Sequence, residues 1–170
     1  MNTMEALLTR RSVRKYRDQP IPPAVVRAML DAAMHAPSGN DEQPWHFVVI
    51  DDRRLLEAIP AIHSAAQMVK GAPLAILVCG DPRLEKVRDM WLLDCAAATE
   101  NLMLAAWEHG VGSVWTGVCH RPQRVEAFRH LLGIPESIVP FALVVLGYPA
   151  VAPRRTVERY REDRVHANAW

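Results

Sequence analysis

Residues 90–107 read MWLLDCAAATENLMLAAW, and this stretch decides the arrangement of the chain. It predicts the body of a long helix over residues 86–109, with Gly110 as the C-cap glycine that ends it. Apolar side chains cover nearly all faces of this helix, and a helix of that kind is buried on all sides. In so small a domain, a second copy of the chain is a natural source of the additional cover. The alternative is a central helix that its own chain surrounds.

Shorter elements are predicted around this helix. Asn2 and Glu5 have the spacing of a capping box, which predicts a short helix over residues 4–8. A proline is well tolerated in a first helical turn, so the prolines at 20–23 predict the start of a second helix that reaches about His35. The other predicted elements are a helix over 55–69 interrupted at Pro60, a helix over 122–132 that Gly133 ends, strands at 46–50, 74–79, 112–118 and 139–146, and a polar tail over 152–170.

The composition excludes several classes of protein. The 170 residues fit a single domain, 1–170, and the 20 basic and 19 acidic residues give a net charge of +1, which is not the strongly basic balance of a nucleic-acid-binding domain. The three cysteines include no CxxC pair, so neither a disulfide framework nor a zinc site is predicted. Buried, reduced thiols in a cytoplasmic protein are the simplest interpretation. Residues 1–9 do not have the pattern of a secretory signal, and no apolar run has the length of a membrane span.

Side-chain catalytic motifs are missing from the sequence. The seven histidines form neither an HExxH nor an HxH pair, and no serine lies in a GxSxG motif. No metal site is predicted either. This pattern fits an enzyme in which a cofactor carries out the chemistry.

Two clusters of arginines are candidates for binding a phosphate. Arg10, Arg11 and Arg14 flank Ser12 after the first helix, and we call residues 10–15 the basic segment. Guanidinium groups bind phosphate through paired hydrogen bonds, and a serine hydroxyl adds a donor. Taken alone, the cluster is better explained as a solvated basic patch, which is the commoner case. The second cluster, with the same alternative, consists of Arg154, Arg155 and Arg159 in the tail.

Two further stretches suit a flat, polar ligand. Pro37 and Ser38 are followed by Gln43-Pro44-Trp45, and we call residues 37–43 the amide loop. Its Asn and Gln amides offer donors and acceptors to the edge of a heterocycle. Taken alone, it could also be a structured turn with a core tryptophan. Residues 112–117 lack the spacing of a P-loop, and their glycines would let the backbone approach a ring. Taken alone, they are better explained as an ordinary strand.

Taken in order along the chain, these motifs resemble the FMN-dependent nitroreductase family. Each motif alone is modest, but their joint order and spacing are specific and cover almost the whole chain. The matching stretches are residues 10–16 (RRSVRKY), 36–38 (APS), 43–47 (QPWHF), 94–102 (DCAAATENL), 110–117, 146–149 (LGYP), 159–160 (RY) and 164–166 (RVH).

The resemblance implies an α+β fold with a mixed central sheet flanked by helices, in an intertwined homodimer. Two FMN sites would lie at the dimer interface, and the tail over residues 152–170 would pack on the partner subunit. FMN would be the cofactor, with its phosphate and ribityl chain bound by Arg10, Ser12 and Arg14, and by Arg11 partly through its backbone. Its isoalloxazine ring would contact Pro37, Ser38 and Gln43, with Asn40 as a further candidate, and would pack against Val114, Trp115, Thr116 and Gly117. One of Arg154, Arg155 and Arg159 would reach the phosphate.

One position departs from the family pattern. Asp41 stands where the family usually has an asparagine, two residues before the glutamine of the QPW motif, and Asn40 lies one residue earlier. An ionised aspartate cannot donate a hydrogen bond. Either the loop shifts to offer Asn40, or the contact with the ring edge differs. A carboxylate here would disfavour an anionic reduced flavin.

The activity that the resemblance implies is electron transfer from NADH or NADPH to FMN, and from FMN to a small acceptor such as a nitroaromatic or a quinone, in a ping-pong scheme. A flavin-binding protein without turnover is one alternative. A specialised flavin enzyme such as a reductive dehalogenase is another, although no long insertion that could cover the flavin is visible at 82–91 or 119–129.

Overall fold

A four-stranded sheet forms the centre of the protein. The computed structural model describes residues 2–152 and 158–170. The strands are β1 (Trp45–Ile50), β2 (Leu74–Gly80), β3 (Gly112–Gly117) and β4 (Val139–Gly147), in the order β1-β2-β4-β3. The two central strands, β2 and β4, consist almost entirely of buried apolar residues, whereas β1 and β3 are edge strands.

The three strand pairs are all antiparallel, which corrects the mixed sheet implied by the resemblance. Parallel pairing is limited, within the described residues, to an isolated bridge between Ser12 and Ser113. Through this bridge the basic segment continues the sheet beyond β3. The α+β class is confirmed.

The helices begin and end close to the predicted positions. Asn2 caps the first helix, since its Oδ1 accepts a hydrogen bond from the Glu5 amide at 2.8 Å. The longest helix ends before Gly110, whose φ of +71° is a conformation that glycine adopts without strain. The helices are α1 (Thr3–Thr9), α2 (Pro23–Met34), α3 (Arg53–Ile62), α4 (Met90–Glu108) and α5 (Pro122–Leu132).

Helices cover both faces of the sheet. On one face, α4 and α2 pack over the sheet in a core that includes Trp45, Leu102 and Val144. The other face is covered by α3, α5 and the 3-10 segment Ser64–Gly71. The chain itself therefore surrounds most of α4, although Leu93 on this helix remains 63% exposed. No helix within residues 2–152 and 158–170 is long and apolar enough to cross a membrane.

Two helix boundaries differ from the prediction. Pro60 lies inside α3, because its missing N–H removes only one bond near the end of the helix, and the break falls at His63 instead, where φ is −140° and ψ is 83°. Helix α4 begins at Met90 rather than near residue 86, because Asp89 has a left-handed backbone conformation with φ of +66°.

Candidate functional site

The basic segment lies in an extended conformation along the outer edge of β3. The Val13 amide donates a hydrogen bond to the Ser113 carbonyl at 2.9 Å, and the Val13 side chain is buried. Because side chains alternate along an extended chain, Ser12 and Arg14 point away from the core and are exposed. Gly112 permits this close packing, since a Cβ atom there would lie 2.7 Å from the Val13 side chain.

A second contact holds the end of the basic segment against the chain after β4. The Tyr16 hydroxyl donates to the Val13 carbonyl at 2.6 Å, and burial raises the pKa of this hydroxyl above its usual range. The Ala150 amide donates to the Lys15 carbonyl at 3.0 Å, and the Arg17 amide donates to the Tyr148 carbonyl at 2.8 Å. These bonds bring residues 151–152 alongside the basic segment.

The two chain segments enclose an open cavity of about 720 Å³, which we call the basic cavity. Four of its lining side chains carry a positive charge, and none of the described lining residues is acidic. The Ser12 hydroxyl is a further donor. This combination fits a phosphate group, for which cationic and hydroxyl donors are the usual partners. The described lining residues are Arg11, Ser12, Val13, Arg14, Lys15, Val151, Ala152 and Arg159.

The arginines of the basic segment have different surroundings. Arg14 lines the basic cavity and has no hydrogen-bond partner among the described residues, so its guanidinium is available to a ligand. Arg11 also lines the cavity, but its Nη1 donates to the carbonyls of Leu8 and Arg10 at 3.0 and 2.7 Å. Arg10 does not belong to the lining described above. Its Nε lies 3.2 Å from Oε1 of Glu100, and this ion pair ties the segment to α4.

Of the three tail arginines predicted to bind the phosphate, only Arg159 lies within the described residues. Arg159 lines the basic cavity together with the basic segment. Arg154 and Arg155 lie outside the described residues. Lys15, Val151 and Ala152 also line the cavity, and sequence reasoning missed their role. Lys15 lies within the RRSVRKY motif, so the sequence did contain a signal for its role in the cavity.

The amide loop has a tightly bonded backbone. Oδ1 of the buried Asp94 in α4 accepts a hydrogen bond from the Gly39 amide at 3.0 Å. The Ser38 hydroxyl accepts another from the Gln43 amide at 3.1 Å. Left-handed φ angles of 48°, 56° and 48° occur at Asn40, Asp41 and Gln43. Such angles are uncommon outside glycine, although asparagine and aspartate adopt them more readily than glutamine does.

The polar side chains of the amide loop pair with one another. Nε2 of Gln43 donates to Oδ1 of Asp41 at 2.7 Å, and Nδ2 of Asn40 donates to Oε1 of Glu42 at 3.1 Å. The same Glu42 oxygen accepts the Lys86 amide at 3.0 Å. Pro37 is exposed beside these groups.

The predicted wall residues of β3 divide between the two faces of the sheet. Val114 is buried in the core beneath α3 and α5, and Thr116 is buried with its hydroxyl donating to the Leu143 carbonyl at 3.0 Å. Their side chains are therefore turned into the core, and the ligand wall over residues 114–117 stays a prediction that would use the backbone at these two positions. Trp115 and Gly117 lie on the opposite face, where Trp115 is half-buried and packs against Phe141 with ring centres 5.6 Å apart.

The predicted site residues form two groups in the described chain. The basic cavity brings together Arg11, Ser12, Arg14 and Arg159, but the amide loop does not contribute to its described lining. Both groups are attached to α4, the basic segment through Glu100 and the amide loop through Asp94. Six residues of α-helix separate these two attachment points by about 9 Å along the axis.

Comparisons with known proteins show which family this chain is similar to. The sequence model of the Nitroreductase family matches residues 7–73 and 61–148. A protein of Methanothermobacter thermautotrophicus, described as a candidate NADH dehydrogenase/NAD(P)H nitroreductase, is 48% identical over 170 residues that cover 100% of this chain and 88% of that protein. A solved structure with the same description, from Parabacteroides distasonis, is 38% identical with a TM-score of 0.93 over 100% of both chains. An FMN-dependent nitroreductase from Clostridium difficile is 27% identical with a TM-score of 0.91, over 99% of this chain and 100% of that one.

These matches confirm the resemblance seen in the motifs. The basic segment and the amide loop both lie within the residues that the family model matches. The similarity also extends over the full length of the chain. The chain therefore belongs to the nitroreductase family, a family of oxidoreductase enzymes.

Proposed function

We propose that the chain is an FMN-dependent oxidoreductase that passes electrons from NADH or NADPH to a small acceptor such as a nitroaromatic or a quinone. The observation that carries the proposal is the basic cavity, in which four cationic side chains and the Ser12 hydroxyl surround a space of about 720 Å³. The names of the relatives from Methanothermobacter and Clostridium, which include NAD(P)H and FMN, support the same assignment.

The phosphate of FMN would occupy the basic cavity. Arg14 has its guanidinium available and would make the main charge-assisted hydrogen bonds, with Arg159 and Lys15 as further cations. One charge pair at about 4 Å contributes about 4 kcal/mol at an effective dielectric constant of 20, before desolvation is subtracted. Arg10 would act indirectly, because its ion pair with Glu100 holds the segment on α4.

The amide loop and Trp115 would contact the ring of the cofactor. FMN, when bound, supplies the hydride and electron chemistry. The protein supplies position: Pro37 and Ser38 offer a rigid edge, and Gln43 offers an amide. No side-chain nucleophile is needed, in agreement with the absence of a catalytic motif in the sequence.

We also propose that the active form is a homodimer. The described lining of the basic cavity does not include the amide loop, and a second copy of the chain would supply further groups around one ligand. The described tail, residues 158–170, is exposed throughout, and its Tyr160, Val165 and Trp170 are 70%, 59% and 101% exposed. An apolar cavity of about 480 Å³, lined by Ile21, Val26 and Val49 beside the edge strand β1, would receive apolar groups of a partner.

The donor and the acceptor would use the same open face of the flavin in turn, which is a ping-pong scheme.

A cytoplasmic location, with the buried thiols of Cys79 and Cys95 in the reduced state, belongs to the same proposal. Burial raises the pKa of both thiols, so they are protonated and unreactive at neutral pH.

The test begins with the visible spectrum of the purified protein and a titration with FMN. Oxidation of NADH and NADPH is then measured with a nitro compound as the acceptor. Parallel lines in double-reciprocal plots are expected for the ping-pong scheme, and intersecting lines would contradict it. A colourless protein that does not bind added FMN would refute the proposed function. Bound FMN that neither nicotinamide reduces would indicate a binding protein instead.

A further inference from the structure

We infer that Asp41 is a positioning residue that fixes the direction of the Gln43 side-chain amide, so that the amide loop presents an acceptor oxygen to the ring of its ligand. The inference rests on the proposed binding of FMN. It concerns how the loop discriminates between the oxidised and reduced cofactor.

The direction of the Gln43 amide follows from the chemistry of its partner. The two side chains meet at 2.7 Å between Nε2 of Gln43 and Oδ1 of Asp41. An amide normally has two orientations that fit similar spaces. An ionised carboxylate has acceptor atoms only, so the amide nitrogen must face it. Oε1 of Gln43 then has no donor among the described residues and is available to a ligand.

The backbone of the loop keeps these two side chains together. Asp94 holds the Gly39 amide from α4, and the Ser38 hydroxyl holds the Gln43 amide. Both Asp41 and Gln43 are exposed and have left-handed backbone angles, so their pairing does not depend on burial. The nitrogen of Asn40, the other amide of the loop, is bonded to Glu42 and not to Gln43.

The polarity of the loop affects the two forms of FMN differently. The ring edge of a flavin carries both N–H and carbonyl groups, and an acceptor oxygen pairs with an N–H. Two added electrons increase the negative charge on the ring carbonyls, which a donor would stabilise and an acceptor would not. With asparagine at position 41, the Gln43 amide would be free to turn and present its nitrogen to a carbonyl. Asp41 therefore weakens the binding of reduced FMN relative to oxidised FMN.

The substitution Asp41→Asn tests this inference in the full-length protein loaded with FMN. The dissociation constant of oxidised FMN and the two-electron midpoint potential are measured, and together they give the affinity for reduced FMN. The expected result is about tenfold tighter relative binding of reduced FMN, which equals a rise of about 30 mV in the potential. Asp31→Asn, which removes a charge from an exposed aspartate on α2, is the matched control and should leave the potential unchanged.

The same substitution in a protein that also carries Gln43→Leu shows whether Asp41 acts through Gln43. In a Gln43→Leu protein there is no amide to turn, so Asp41→Asn should change the relative affinity by less than about threefold. An equal shift in both backgrounds would show a direct charge effect and overturn the inference, as would an unchanged potential in Asp41→Asn alone. Because both side chains are exposed, circular dichroism should show a native fold in every variant. If the wild-type protein fails to bind FMN, the proposed function fails instead.

Discussion

Replacing Arg14 by alanine should weaken FMN binding and leave the fold intact. Arg14 lines the basic cavity and has no hydrogen-bond partner among the described residues, so its removal leaves no described protein group unsatisfied. A hydrogen bond to a charged partner contributes about 1.5–3 kcal/mol, and 1.4 kcal/mol is a factor of ten in affinity. The dissociation constant of FMN should therefore rise about 10- to 100-fold.

The assay is quenching of flavin fluorescence at fixed, low salt, because screening weakens exposed charge interactions. Riboflavin, which lacks the phosphate, provides the second arm of the experiment. Its dissociation constant should be the same in the wild type and in Arg14→Ala. A loss of affinity that is equal for FMN and riboflavin would refute the reasoning, because it would show a general disturbance of the site.

Substitutions of two other arginines serve as comparisons for the effect of Arg14→Ala on FMN binding. Arg10→Ala removes only the partly exposed ion pair with Glu100, which contributes less than about 1 kcal/mol to stability, so its effect on FMN should be smaller than that of Arg14→Ala. Arg88→Ala changes a side chain that is 92% exposed and paired with Asp89, and it should have no effect. If the dissociation constant of FMN is unchanged in Arg14→Ala, the basic segment is not the phosphate anchor.

Three further outcomes follow from the packing of the site and the core. Gly112→Ala would put a methyl group 2.7 Å from Val13, so urea unfolding should show a loss of about 1–3 kcal/mol together with weaker FMN binding; binding at wild-type strength would mean that the segment adjusts freely. Asp94→Ala leaves the Gly39 amide unpaired and should cost about 1–3 kcal/mol, whereas Asp94→Asn retains an acceptor and should lose less; equal losses would contradict the role of that hydrogen bond. Burial lowers the pKa of His63 to about 4, so as the pH falls this histidine takes up a proton in the unfolded chain before it does so in the folded protein. The free energy of unfolding should therefore decrease as the pH drops from about 6.5 towards 4. A His63→Phe protein should show a flatter pH dependence of stability, and an equally steep one would assign the effect to other groups.

Local signals in the sequence were sufficient for most of the secondary structure. The boundaries of α5 and the C-cap glycine of α4 agree with the prediction, because proline and glycine act on the backbone within one turn. The start of α4 could not be predicted in this way. Aspartate is a common N-cap residue, but Asp89 has a left-handed backbone conformation and its side chain makes no cap hydrogen bond, which the sequence does not reveal.

Residue types indicated the chemistry of the site, but long-range contacts determine its geometry. The charges of the basic segment predicted a phosphate site, yet the difference between Arg10 and Arg14 depends on Glu100, which is 90 residues from Arg10 in the chain. The anchor of the amide loop, Asp94, is 55 residues from Gly39. Such pairings require the packing of α4 against the rest of the fold, which periodicity and composition do not encode.

The strand predicted at residues 112–118 is present as Gly112–Gly117, whereas the ligand wall predicted for it stays a prediction. Alternation along a strand puts successive side chains on opposite faces, and the buried Val114 and Thr116 follow from it. The sequence alone did not indicate which face is covered by helices α3 and α5. Trp115 lies on the other face and is half-buried, so its side chain is the one that we expect to meet a ligand.

The comparison of FMN with riboflavin in the wild-type protein tests the central claim most directly, since the two ligands differ only in the phosphate. Two or more charge-assisted hydrogen bonds in the basic cavity, at about 1.5–3 kcal/mol each, predict that FMN binds at least about a hundredfold more tightly than riboflavin. The difference should shrink as the salt concentration rises. Equal dissociation constants for FMN and riboflavin at low salt would contradict the assignment of the basic cavity as the phosphate site.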